Sequence, residues 1–297
     1  CSRTTKGTEM IDVQETAIRT GGPLTQSTPT TKTDKAGVRA ATSQPRCSLL
    51  GVLKSEWIKL WSLRAAQVTA VFMLVPMTII NLLVLLFADV SGGTQLLAVD
   101  ATVRMFTTID LIFIVVLGGM FAAGEFSTGS IRPSLGAVPN RGLLVVAKIM
   151  VLALSVLILS ILAVGISVVL GLIVLPTRGV EQSLESPAVR MIVGLCLYSM
   201  LMGLFSFCIG FLGRSSVGAI SVTLGILWIL PSVVRMLGDG EMAQAIMARL
   251  PGVAGSQAFA LEPASSTGGA WGGLAILAAN VVVMSVIAVG QFKRLDV

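Results

Sequence analysis

Six long runs of apolar residues constrain the fold of this chain more than any other feature. An α-helix needs about 20 apolar residues to cross a bilayer. The runs cover approximately residues 66–88, 105–123, 143–175, 189–212, 216–237 and 271–291. A β-barrel would instead show segments of about ten residues with alternating polarity. The sequence therefore predicts an all-α integral membrane protein with six transmembrane helices, of which the third must tilt or project from the bilayer.

The composition supports the same class and removes several kinds of chemistry. Only 12% of the 297 residues are charged, whereas a soluble domain has about 25%. The chain has no histidine, so it cannot build Ser-His-Asp or Cys-His catalysis, histidine metal sites or histidine proton relays. None of its four cysteines belongs to a CxxC pair. We therefore predict no catalytic, cofactor or metal residues in this chain.

The first 47 residues differ from the rest of the chain. They are rich in Thr, Ser, Gly and charge and bury too little apolar surface to offset the entropy of ordering. We predict that 1–47 is a disordered tail, and it lacks the apolar segment of a secretory signal. Because the sequence begins with Cys1 in place of methionine, we expect a truncated or misassigned start rather than a lipidated N-terminus.

Residues 48–64 read SLLGVLKSEWIKLWSLR and connect the tail to the first apolar run. Leucines and tryptophans recur at helical spacing, while lysines, serines and Glu56 occupy the other side. Tryptophan and lysine favour the membrane interface, so the segment predicts an amphipathic elbow helix in the membrane plane. A soluble helix packed on another element is the alternative.

Basic residues predict the orientation of the chain. Six spans place both termini on one side, and basic residues near the membrane are more frequent on that side. That side carries Lys54, Lys59, Arg64, Arg132, Arg141, Lys148, Arg214, Lys293 and Arg294, and the other carries Arg104, Arg178, Arg190, Arg235 and Arg249. Positively charged loops stay in the cytoplasm, so we predict cytoplasmic termini. The net charge of +6 then reflects orientation, and we expect no nucleic-acid partner.

The segment 124–142, GEFSTGSIRPSLGAVPNRG, is the longest polar stretch on the side predicted to be cytoplasmic. Glu125 directly follows an apolar run, where a carboxylate in hydrocarbon would be costly. It can reach water, a partner or Arg132. The alternatives are that Glu125 only anchors the end of the helix and that Arg132 and Arg141 only determine the topology. The sequence has no GxxxxGK[ST] phosphate loop, so we expect that the chain is not an enzyme and does not hydrolyse ATP itself.

The connection between the fifth and sixth runs, about 238–270, is the longest on the predicted outer side. Its sequence MAQAIMARLPGVAGSQAFAL is too apolar for a free loop. We expect it to dip part-way into the outer leaflet or to cap the outer mouth of the bundle. Irregular backbone at that depth requires protein or trapped water to satisfy its polar groups.

Three polar residues inside the apolar runs are candidate intramembrane sites. Asp110 lies in the second run, and an intramembrane carboxylate is a functional candidate. It can line a substrate path, or it can form a structural pair with Arg104 or Arg235. Asn81 and Asn280 are expected to hydrogen-bond between helices rather than to bind a ligand.

Together, these segments resemble the permease subunit of bacterial ABC-2 type transporters. The resemblance rests on EWIKLWSLR before six spans, GEFSTGSIRPSLGAVPNRG after the second span, Lys148 soon after it and the basic end QFKRLDV. It covers residues 48–297. It implies a six-helix domain in the bacterial plasma membrane that pairs with a second copy or a similar permease. It also implies that a separate ATPase subunit uses the ATP, and that this chain binds no cofactor.

The resemblance further implies that the segment after the second span couples the permease to the ATPase. The matching residues are Glu125, Ser127, Thr128, Gly129, Ile131 and Arg132. Pro133 departs from the pattern, although it fits the first turn of a helix that Ser130 caps. The implied function is export of an amphipathic or hydrophobic substrate, such as a drug, a lipid-linked molecule or a peptide. The alternatives are a non-transporting scaffold or self-protection protein and, less favoured, an intramembrane enzyme.

Overall fold

The structure is a computed structural model that describes residues 49–87, 103, 106–128, 141–179, 186–236, 238, 240–263 and 268–294. All regular elements within these ranges are helical. The α-helices are α1 (Leu49–Ser62), α2 (Arg64–Phe87), α3 (Leu111–Thr128), α4 (Arg141–Thr177), α5 (Ser186–Gly213), α6 (Ser216–Leu224), α7 (Leu230–Met236), α8 (Glu241–Met247), α9 (Pro251–Ser256) and α10 (Gly269–Arg294). The π-helical turns are π1 (Phe106–Asp110) and π2 (Gly225–Ile229), and Gln257–Phe259 is a 3-10 turn. The tail predicted over 1–47 lies outside the described residues.

Five of these helical stretches are long and apolar enough to cross a bilayer. They are α2, α4, α5, α10 and the continuous helix that α6, π2 and α7 form together. This confirms the predicted all-α, multi-pass membrane architecture. The second predicted span is π1 followed by α3, whose apolar part Leu111–Gly124 is shorter than the other five. The sixth crossing therefore stays a prediction.

The length of α4 agrees with the expectation for the third apolar run. Its 37 residues correspond to about 55 Å at the α-helical rise, whereas the hydrocarbon core of a bilayer is about 30 Å thick. The side chain of Arg178, just beyond its C-terminal end, donates to the carbonyl of Leu85 near the end of α2 at 2.9 Å. This contact holds the two helix ends together at the end of the bundle opposite α1.

Helix α5 is the centre of the bundle. Buried residues make up 67% of its most apolar stretch, against 22–39% in the other four long helices. It contacts α3, α4, α6 and α10. A short turn reverses the chain into α6: Arg214 adopts a positive φ of 51°, and the Ser215 hydroxyl accepts a hydrogen bond from the Gly218 N–H at 3.1 Å. This N-cap starts α6 antiparallel to α5.

Small residues bring α3 and α5 into close contact. A Cβ built on Gly118 would collide with the backbone carbonyl of Gly203, so the two helix backbones approach more closely than side chains would allow. The Ser206 hydroxyl donates to the carbonyl of Val115 at 2.7 Å across the same interface. Close approach through glycine and an interhelical hydroxyl bond are the typical means of helix association in membranes.

We expect Gly118→Ala to destabilise the protein by roughly 1–3 kcal/mol, the usual cost of overpacking, because its methyl group must displace a backbone carbonyl. Gly165→Ala is the matched control, since Gly165 lies within α4 and the described structure has no neighbouring group within 4 Å of the added methyl. Thermal unfolding of both variants in detergent measures the difference. Equal unfolding midpoints for the two variants would contradict the close backbone contact between Gly118 and Gly203.

Candidate functional site

Helix α1 is attached to the bundle through one buried face. Val52, Glu56 and Leu60 are its buried residues, and their spacing of four places them on the same face. The sequence pattern placed Glu56 on the polar side, and this assignment is wrong. The side chain is completely buried because its carboxylate meets basic groups inside the protein. Helix α1 contacts α4 and α2, while its position in the membrane plane stays a prediction.

The Glu56 carboxylate accepts hydrogen bonds from two lysines. Lys148 Nζ of α4 lies 2.6 Å from Glu56 Oε2, and Lys59 Nζ of α1 lies 2.7 Å from Oε1. The side chain of Lys148 is 4% exposed, whereas that of Lys59 is 43% exposed. Lys148 Nζ also lies 4.7 Å from the ring centroid of Phe121 on α3, within the range of a cation–π contact. We call Glu56, Lys59, Lys148 and Phe121 the ionic junction.

The ionic junction joins the two helix ends that flank residues 129–140. Phe121 lies two turns before the end of α3, and Lys148 lies two turns after the start of α4. Helix α1 is therefore held to α4 by the Glu56–Lys148 pair, and Lys148 in turn contacts α3 through Phe121. The sequence identified Lys148 as a basic residue on the predicted cytoplasmic side and as part of the family resemblance, but not as the partner of Glu56. A lysine inside an apolar run and a glutamate four residues from both Val52 and Leu60 were the signals of a buried pair.

Removing one partner of the ionic junction should cost much more than removing both. A buried charge without its partner typically costs about 3–5 kcal/mol, while an apolar replacement of the whole pair is often neutral. We expect Glu56→Leu and Lys148→Met to lower the unfolding midpoint strongly, and the double variant to recover most of the loss. Lys54→Met is the control, because Lys54 is exposed on α1. Additive losses in the double-mutant cycle would show that the two residues do not interact.

The predicted coupling residues lie at and beyond the end of α3. The backbone of Glu125, Ser127 and Thr128 continues this helix, so the polar segment begins in helical conformation. Their side chains lie outside the described part of the structure, as do Gly129, Ile131 and Arg132. Their assignment to an ATPase contact stays a prediction.

Asp110 is completely buried at the end of π1. Neither of its carboxylate oxygens has a hydrogen-bond partner among the described residues, so the structure does not pair it with Arg235; Arg104 lies outside the described residues. A buried carboxyl group without a hydrogen bond is energetically costly, and such a residue inside a membrane bundle is a candidate functional group.

The two candidate asparagines differ in their surroundings. Asn81 is completely buried in α2. The Asn280 side-chain amide donates to the carbonyl of Ile276 at 2.9 Å, which is a bond within α10. This bond uses one hydrogen of the amide, and the expected interhelical bond of Asn280 stays a prediction.

The connection after α7 packs onto the end of the bundle opposite α1. Helix α8 is mainly exposed, whereas α9 and the 3-10 turn carry the buried residues Gly252, Ala254, Gly255, Ala258 and Phe259. The Arg190 guanidinium, near the start of α5, donates to the carbonyls of Ala258 and Ala260 at 3.2 and 2.8 Å. Arg190 thus satisfies backbone acceptors where this connection leaves helical structure, as the expected cap on the bundle requires.

A cleft of about 430 Å³ lies between this connection and the bundle. This volume falls within the range of small-molecule sites. Its lining residues are Thr107, Leu111, Tyr198, Leu227, Trp228, Pro231, Ser232, Arg235, Gly252, Val253, Ser256 and Phe259. Both π-helical turns contribute to its wall, and π-helical turns are frequent at functional sites.

The π2 turn has a local cause. Pro231 lies two residues beyond its end, and a proline inside a helix removes a hydrogen bond and clashes with the preceding turn. The Leu230 N–H donates to the carbonyl of Gly225, five residues earlier, which widens the helix just before the proline. Pro231 and the widened turn then line the cleft together.

Comparison with known proteins does not identify the chain. No protein-family model matches the sequence, and no curated protein matches it either. Among the residues that the structure describes, no group of three or more Cys, Asp or Glu side chains is placed to hold a metal ion.

Proposed function

We propose that this protein is the membrane-spanning permease subunit of an ATP-binding cassette exporter of the ABC-2 type. A separate ATPase hydrolyses ATP, and a second copy or a similar permease completes the transporter in the bacterial plasma membrane. The observation that carries the proposal is the ionic junction, because it fastens α1 to α4 through Lys148, which also contacts Phe121 of α3. Helices α3 and α4 flank the polar segment 129–140.

The proposed mechanism uses this arrangement to move the helices. An ATPase docked on residues 125–132 displaces the adjoining ends of α3 and α4 when ATP brings two ATPase copies together. The buried pair of Glu56 and Lys148 makes α1 follow α4, so α1, α3 and α4 shift as a group between inward-open and outward-open states. The substrate must bind the two states with different affinity for transport to occur. An amphipathic or hydrophobic molecule is the class that the family resemblance implies.

Substitutions in the polar segment should weaken binding of the ATPase. We expect Glu125→Ala and Arg132→Ala to reduce at least fivefold the vanadate-sensitive ATPase activity that co-purifies with the tagged protein from its native membranes. This would correspond to a loss of about 1 kcal/mol or more of binding free energy. Arg249→Ala is the control, because Arg249 is exposed near the other end of the bundle. Unchanged ATPase activity in both test variants would count against the proposal.

Transport itself separates an exporter from a scaffold that only sequesters its ligand. Inverted membrane vesicles that contain the complex should accumulate a fluorescent amphipathic dye only when ATP is present. A purified permease that moves the dye at full rate without any nucleotide-hydrolysing partner would refute the proposal that a separate ATPase drives transport.

Cysteine labelling tests the predicted orientation. In a background with Cys1→Ser and Cys47→Ser, a membrane-impermeant maleimide added to intact cells should label Ser183→Cys and leave Ser134→Cys unlabelled. Permeabilised cells provide the control that position 134 is reactive. The two remaining cysteines, Cys196 and Cys208, are buried and contribute little background. The reverse labelling pattern would invert the topology.

A further inference from the structure

The cleft combines large apolar side chains, polar groups and a single charge. Its large apolar and aromatic side chains are Leu111, Tyr198, Leu227, Trp228 and Phe259, and among its lining residues only Arg235 is charged. None of these lining residues is acidic, so none neutralises the guanidinium. A cleft that offers aromatic and aliphatic side chains together with one cation matches a ligand that has an anionic group and an apolar body.

Arg235 is available to such a ligand. It is exposed in the last turn of α7, and its guanidinium makes no hydrogen bond or ion pair with any other residue that the structure describes. A guanidinium has five N–H donors and binds phosphate or carboxylate through two parallel hydrogen bonds. Arg235 therefore offers the cleft a set of donors that the described part of the chain does not use.

The hydroxyl groups of two serines that line the cleft do not donate hydrogen bonds to an anion. The Ser232 hydroxyl donates to the carbonyl of Trp228 at 2.8 Å, and the Ser256 hydroxyl donates to the carbonyl of Val253 at 2.8 Å. Because their protons are engaged with the backbone, these oxygens present only acceptor lone pairs to a ligand. Arg235 is therefore the positively charged donor among the lining residues of the cleft.

The arrangement along the helix fits an amphiphile. Trp228 and Arg235 are seven residues apart, which corresponds to roughly 10 Å along the helix axis. We propose that the cleft binds an amphiphile with an anionic headgroup: a phosphate or carboxylate pairs with Arg235, and the apolar chain lies along Trp228, Leu227 and Phe259. The site requires no ATPase, so it is independent of the proposed transport function.

Quenching of Trp228 by brominated lipid tests this site directly. The full chain is placed in lipid nanodiscs that contain increasing fractions of brominated phosphatidylglycerol or brominated phosphatidylcholine. The chain has four tryptophans, so the Trp228 signal is obtained as the difference between the wild type and Trp228→Phe. We expect half-maximal quenching of Trp228 at an about tenfold lower fraction of the anionic lipid, the effect of one charge-assisted hydrogen bond.

Variants show whether the selectivity comes from Arg235. Arg235→Gln should abolish the preference for the anionic lipid, and Arg235→Lys should retain part of it because the charge remains. Arg249→Gln, which changes another exposed arginine outside the cleft, should leave the preference unchanged. If Arg235 served only to complement the C-terminal helix dipole, the preference for the anionic amphiphile would survive in Arg235→Gln, and this result would overturn the proposal.

A second arm identifies the source of the headgroup. Dibromostearate is added to the protein in nanodiscs made only of phosphatidylcholine. Selective quenching by phosphatidylglycerol identifies a bilayer lipid as the occupant, whereas quenching by dibromostearate alone identifies a free carboxylate amphiphile. Either outcome supports the proposal when Arg235→Gln abolishes it and Arg249→Gln does not, and the absence of both outcomes refutes the proposal.

Discussion

The buried pair of Glu56 and Lys148 is the interaction on which the arrangement of α1 depends. Two charges away from water are stable only when each satisfies the other, because desolvating either one alone costs several kcal/mol. The pair thus allows few positions of α1 relative to α4, whereas purely apolar contacts through Val52 and Leu60 would permit sliding. The Phe121 ring beside Lys148 extends the same constraint to α3.

A different kind of constraint holds α3 against α5. There the backbones touch through Gly118 and Gly203, and the Ser206 hydroxyl bonds directly to a backbone carbonyl. Such an interface has little side-chain freedom, so relative motion of the two helices would have to break it rather than deform it. The ionic junction and the glycine contact together link α1, α3, α4 and α5. Ion pairing fixes the position of α1 on α4, and close backbone packing fixes the position of α3 on α5.

The sequence predicted the helical membrane architecture well, because a helix that crosses a bilayer requires a long run of apolar residues. It also located the helix before the first span, the excess length of α4 and the packing of the connection after α7. It failed at Glu56, since a helical pattern assigns a glutamate to the polar face unless its partner, 92 residues away, is known. The cleft was not predictable, because its wall combines residues from separate parts of the chain.

The two ends of the bundle are linked by the same helices. Helix α3 begins at the π1 turn beside the cleft and ends at the ionic junction, and α5 begins near Arg190, which holds the backbone of the connection after α7. A shift of α3 and α5 at the α1 end would therefore reach the wall of the cleft through contiguous packed contacts. Coupling over this distance requires an element with two discrete arrangements. The widened π-helical turns, where the regular hydrogen-bond register is already interrupted, are the places in the described structure where such a rearrangement would cost least.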